Sequence, residues 1–170
     1  MAYSRHDFGL INTIKAEAIG VPGQRTFRLL IEGYGCSACL WLEKNQLLQL
    51  SIIIFQMLVT LPAQGSPGTY SRSEYSPSDR SQASMEFNVG RLGLGHDPDK
   101  DLFIIEVHDR DIDQEEEALL VFWSSRSQLE GLANEAQAVC AAGRPQCPLC
   151  DAPIGEETHV CPKSNGHHLA

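Results

Sequence analysis

Apolar and polar positions alternate along three short stretches near the start of the chain and along three more after its midpoint. Each triplet is followed by apolar residues at helical spacing. LINTIKAEAI (10–19) alternates well enough for a strand, and Val21-Pro22-Gly23 supplies a turn. TFRLLIEGY (26–34) and CSACLWLE (36–43) predict two further strands. Gly33 and Gly35 lie between them, where a hairpin needs residues tolerant of positive φ. From Lys44 to Leu61 the apolar positions Leu47, Leu50, Ile54, Leu58 and Leu61 follow a helix period.

After a polar, serine- and glycine-rich stretch read as a flexible loop (63–84), the pattern restarts. MEFNVGRLGLG (85–95), DLFIIEVHD (101–109) and ALLVFWS (118–124) predict strands, and LEGLANEAQAVCAA (129–142) predicts a helix closed by Gly143 and Pro145. The two halves look like copies. Ile11–Phe27 and Phe87–Phe103 cover equal spans, with Asn12 and Asn88 next to their first residues. Trp41 precedes Gln46-Leu47-x-x-Leu50, as Trp123 precedes Gln128-Leu129-x-x-Leu132. The expected architecture is α+β: a mostly antiparallel sheet from two β-β-β-α halves, about 10–62 and 85–143, within a body spanning 1–143.

The remaining residues, 144–170, are too few for a core of their own and hold the densest candidate chemistry. Cys147-x-x-Cys150 and His159-x-Cys161 form a local four-ligand set. A C-x-x-C turn aims two thiolates at one point, and an i, i+2 pair aims two more donors from one face. Four protein ligands of N/S type suit tetrahedral Zn²⁺ in a closed, structural site, a zinc knuckle. Three alternatives stand beside it. His167 or His168 supplies the fourth ligand; Cys36 and Cys39 join the second C-x-x-C in a ribbon; or a C-x-x-C is redox-active. Three-residue spacing on a strand puts Cys36 and Cys39 on opposite faces, which favours packing, and Cys140 reads as a core thiol.

Charge narrows the function classes. A formal net charge of −9 over 170 residues argues against nucleic acid and anionic membranes as partners. LLQLSIIIFQMLVTL (47–61) is shorter than the roughly 20 residues that span a bilayer and carries Gln49, Ser51 and Gln56. No basic-then-apolar leader opens the chain, so a cytoplasmic setting is expected, in which cysteines serve metal or packing. Asp109-x-Asp111-x-Asp113 lacks the glycine and the distal glutamate of a calcium loop, Gln114 and Leu120 standing there instead. GRLGLG (90–95) lies in a strand with no helix start or lysine after it, so a closely approached strand fits better than a phosphate loop. Gln24 and Arg25 in the first turn, and His96 in the corresponding connection, are the candidate ligand-binding residues, Arg25 as a bidentate donor to a carboxylate or phosphate.

GVPGQRTFRL (20–29), WLEKNQL (41–47), VGRLGLGHDP (89–98) and AAGRPQCPLCDAPIGEETHVCPKSNG (141–166) together resemble the bacterial domain-of-unknown-function 3090 family, over nearly the whole chain except 63–84. The resemblance implies metal ligands at Cys147, Cys150, His159 and Cys161 and no established activity; Cys36 and Cys39 lie outside its pattern. The long apolar helix and Asp151 depart from it. The expectation that results is a zinc-stabilised binding or adaptor protein with a protein partner and no catalysis of its own. The alternative is an enzyme or enzyme subunit acting on a phosphorylated or carboxylated small molecule through Arg25 and His96.

Overall fold

The computed structural model describes residues 4–63, 84–110, 118–143, 147–152, 154 and 159–163. Strands β1 (Ser4–Leu10), β2 (Thr13–Ile19), β3 (Thr26–Glu32) and β4 (Ser37–Leu42) lead into helix α1 (Lys44–Thr60). Strands β5 (Ser84–Asp97), β6 (Leu102–Asp109) and β7 (Ala118–Ser125) then lead into helix α2 (Arg126–Ala141). The loop expected over 63–84 falls outside the described residues except at its ends. Asp111 and Asp113 of the acidic run, and His167 and His168, also lie outside them.

All seven strands join one sheet in the order β1-β7-β6-β5-β4-β3-β2. It is mixed, which corrects the expectation of a mostly antiparallel sheet: β1 pairs parallel with β7, and β4 pairs parallel with β5. The reason is local for the second pair. A helix between two strands carries the chain back to the end where it started, so the next strand enters in the same direction. β1 and β2 stand at opposite ends of the order, yet only Ile11 and Asn12 separate them. A link that short reaches about 10 Å, so the sheet curls until its ends meet. At the bend the Ile11 N–H bonds to Trp123 O (3.0 Å) and the Asn12 N–H to Glu32 O (2.7 Å), handing the chain from β7 to β3. The strand expected over 10–19 is thus the second part of a longer path that begins at Ser4.

Alternation sets the inner face. Ile14 and Ala16, then Phe27, Leu29 and Ile31, then Phe103, Ile105 and Val107 are buried at every second position. The helices add Leu47, Leu50 and Ile54 from α1, and Leu129, Leu132, Ala133, Ala136 and Cys140 from α2, to the same core. The two helices also pack directly on each other, and small Ala133 and Ala136 are fully buried in α2. Buried Ser51 satisfies its hydroxyl on the Leu48 carbonyl at 2.7 Å.

Two glutamines tie the helix starts to the sheet. Gln46 accepts the Glu43 N–H at 2.7 Å and donates to Val89 O and Gly90 O, both at 3.1 Å. Gln128 accepts the Ser125 N–H at 2.9 Å and donates to Ile11 O (3.2 Å) and Asn12 O (2.9 Å). Among the described residues β2 past its bend pairs only with β3, and α2 covers its other edge, where the Glu135 carboxylate accepts the Ala16 N–H at 2.9 Å. Replacing Glu135 by alanine should leave that amide without its acceptor and lower stability by about 1–2 kcal/mol. Urea unfolding of the variant is the check, and an unchanged midpoint would remove Glu135 from this role.

The glycines of GRLGLG serve close approach. A Cβ on Gly90 would lie 2.8 Å from Arg110 Cα and from Asp109 O, at the register shift between Val89 and Arg91. Among the described residues no helix is long and apolar enough to cross a membrane.

Candidate metal centre

Beyond α2 the chain turns on itself at Cys147. The Asp151 N–H bonds back to Cys147 O at 2.9 Å, and the Cys147 N–H bonds to Ala152 O at 2.8 Å, with Asp151 at φ 60° completing the reversal. The turn points Cys147 and Cys150 the same way, and the segment at 159–161 returns His159 and Cys161 to them. The donor atoms of Cys147, Cys150, His159 and Cys161 all lie within 4.8 Å of one another, with Cys150 Sγ and His159 Nε2 at 3.2 Å.

The electrostatics suit a cation. Backbone N–H groups of Leu149 and then Cys150 point at the Cys147 sulfur and hold its thiol down to about 6. Cys150 receives the Ala152 N–H, which lowers its thiol. Burial and the neighbouring Cys161 and Cys147 sulfurs outweigh that donor and push it up. Sulfurs crowded so closely repel as anions, and a bound cation reverses the sign of that interaction. Tetrahedral Zn²⁺ with bonds of about 2.3 Å to sulfur sets donors about 3.8 Å apart, and these four lie within 4.8 Å of one another. Three thiolates and an imidazole are borderline-soft donors of the kind zinc takes. This Cys₃His group can hold a metal ion.

The remaining cysteines are elsewhere. Cys36 and Cys140 belong to the sheet–helix core, and Cys39 is buried outside it, on the other face of β4. Burial pushes all three thiols up, which suits packing rather than ligation.

The other sequence candidates are brought to one end of the sheet but not to one site. Since β2 and β5 run in the same direction, the β2–β3 and β5–β6 turns share that end. Gln24 is exposed in the first turn, its N–H bonded to Val21 O at 2.9 Å. Arg25 lines a cleft of about 760 Å³ with Phe27, Trp41, Lys44, Asn88 and Arg110 among its neighbours; Gln24 and His96 are not part of its lining. His96 instead bonds Asp101 through Nε2 at 2.9 Å and lies on the Phe103 ring. Asp101 is also gripped by Arg126, with Nε to Oδ2 at 3.0 Å and Nη2 to Oδ1 at 2.8 Å. This clamp, chiefly its Arg126 bonds, holds the Asp101 carboxyl at about 2, below its ordinary 3.8.

Sequence reading missed Lys44, Arg110, Asp101 and Arg126. One signal was present: Lys44 follows Trp41 by the same three residues as Arg126 follows Trp123.

No match appears among curated proteins or among solved structures. The family described as "Protein of unknown function (DUF3090)" matches residues 6–161, and the chain therefore belongs to that family.

Proposed function

We propose that this chain is a zinc-stapled binding protein without catalytic activity, acting in the cytoplasm and docking a protein partner. Its body, residues 1–143, comprises two related halves, and residues 144–170 form a structural zinc knuckle. The observation that carries the reading is the convergence of four protein donors within 4.8 Å. A full shell favours structure over chemistry, because catalytic zinc keeps one position for water or substrate.

The halves are supported as copies by register. Gln46 grips Val89 and Gly90 as Gln128 grips Ile11 and Asn12. Buried positions 47, 50, 51 and 54 in α1 recur as 129, 132, 133 and 136 in α2. By this register Asn12 corresponds to Gly90, two residues from the Asn88 that equal spans suggest.

A protein partner is supported by apolar surface. Ile52, Ile53 and Val59 on α1 are 42%, 47% and 84% exposed, and Leu149 and Val160 in the tail are 55% and 89% exposed. The net charge of −9 gives no general basic footprint for nucleic acid. The metal reading is tested by zinc content per chain in the wild type and in His159→Ala. Retention of one zinc in that variant would remove His159 from the ligand set. For the apolar surface, Ile53→Glu should change folding stability by no more than about 0.5 kcal/mol. A large loss in urea unfolding would mean that Ile53 is needed within the fold and is not free for a partner.

A further inference from the structure

The β3–β4 and β6–β7 hairpins place their flanking residues in the same way. Phe27 pairs with Leu42 on one, and Phe103 with Ser124 on the other. Two residues beyond each pair, past the ends of the ladders, come Arg25 and Lys44 on the first hairpin and Asp101 and Arg126 on the second. In the second hairpin those positions hold a carboxylate and a guanidinium, joined at 2.8 and 3.0 Å. In the first they hold two cations. Among the described residues no ion pair satisfies either Arg25 or Lys44.

Both cations line the cleft of about 760 Å³, and a third, Arg110, joins them. Its backbone is held there by the Arg110 N–H to Asn88 O bond at 3.0 Å and by the absence of a side chain on Gly90. Among the described residues the one acid in the lining, Glu43, lies 3.5 Å from Arg110. Three positive side chains around one acid among the described residues, in a chain of net charge −9, make a local reversal of sign, and a concave wall focuses such a field. Half-buried Trp41 lines the cleft beside the cations, and the buried Phe27 reaches its lining from the core. The volume falls within the roughly 300–1,000 Å³ of small-molecule sites.

We propose that this cleft binds a small phosphate monoester, whose dianionic phosphate takes between Arg25 and Lys44 the place that the Asp101 carboxylate takes beside Arg126, with an apolar or aromatic body against Trp41. A dianion suits the site better than a monocarboxylate, because two cations face the position where one acid would neutralise only one. Arg25 supplies a planar bidentate fork and Lys44 a point charge. The proposal goes beyond the zinc-stapled reading, and its failure would leave the metal centre untouched.

The test uses the full metal-loaded chain with phenyl phosphate as probe and benzoate and phenol as controls, read by calorimetry and backbone amide shifts. Saturable binding of phenyl phosphate is expected, with shifts at Arg25, Lys44, Asn88 and Arg110, and binding at least tenfold tighter than benzoate or phenol. Arg25→Gln and Lys44→Gln should each weaken it tenfold or more, while Arg91→Gln, outside the lining, should not. Arg25→Asp is the sharpest variant: it rebuilds the acid–cation pair of the other hairpin and should abolish binding without lowering the melting temperature. Absence of saturable binding, shifts confined elsewhere, benzoate binding as tightly as phenyl phosphate, or undiminished binding to Arg25→Asp or Lys44→Gln would each overturn the proposal.

Discussion

One zinc ion per chain is expected in protein purified without chelator, and Cys147→Ser, Cys150→Ser or Cys161→Ser should each lose it. The argument rests on how little else secures the tail. Among the described residues its segments are bound by two backbone bonds at the Cys147 turn, by the Leu149, Cys150 and Ala152 N–H groups aimed at the Cys147 and Cys150 sulfurs, and by contacts among the four donor side chains themselves. Cys147 is buried, yet it is not part of the sheet–helix core. Metal binding at such sites contributes on the order of 10–16 kcal/mol at neutral pH, far more than those bonds supply. Chelation should therefore release amide protection over 147–163 while the amides of α1 and α2 stay protected in hydrogen exchange. The metal should also leave as pH falls, since protons compete for the thiolates and the imidazole. Loss of α1 and α2 protection together with the tail would show that the metal holds the body as well. Protection of the tail that survives complete removal of metal would show that packing, not zinc, fixes it.

The four donors were legible because they are local. C-x-x-C and H-x-C together span only fifteen residues. The helices and central strands were legible for a similar reason, since Leu47, Leu50 and Ile54 keep a helix period and Phe103, Ile105 and Val107 a strand period. β1 was not, because SRHDFGL offers Phe8 and Leu10 amid polar residues and finds its partner, β7, more than a hundred positions away. The parallel β4–β5 pairing was within reach, as a strand, a helix and a strand in succession imply it. The cleft was not: Arg25, Lys44 and Arg110 come from three separated elements, and only the paired hairpins show that one lacks its acid. Arg25 and His96 were expected to share a site on the strength of corresponding turns. The turns do share an end of the sheet, but Asp101 engages His96 in a clamp of its own.

Replacing Arg126 by alanine should cost about 2–3 kcal/mol, because one side chain joins three parts of the body. It grips Asp101 at the β5–β6 turn, reaches Leu58 O near the end of α1 at 3.4 Å, and lies over the Phe103 ring at 5.3 Å. Its loss leaves Asp101 with His96 alone, in a pair whose side chains are 16% and 10% exposed. The effect carries a pH signature. The Asp101 carboxyl sits at about 2 in the fold against an ordinary 3.8. Its contribution is therefore complete above about pH 4 and is lost as pH falls toward 2. Discounted for the solvent that reaches the pair, that shift corresponds to about 1–2 kcal/mol of the total. The stability gap between wild type and Arg126→Ala should then be widest at pH 5–7 and narrow by that amount toward pH 2. Because both proteins would lose metal from the tail over the same range, the difference between them isolates the clamp. Urea midpoints measured in parallel at each pH give this gap directly. A gap that stays constant down to pH 2 would mean that Arg126 stabilises by packing on Phe103 and capping α1, with the Asp101 charge contributing nothing.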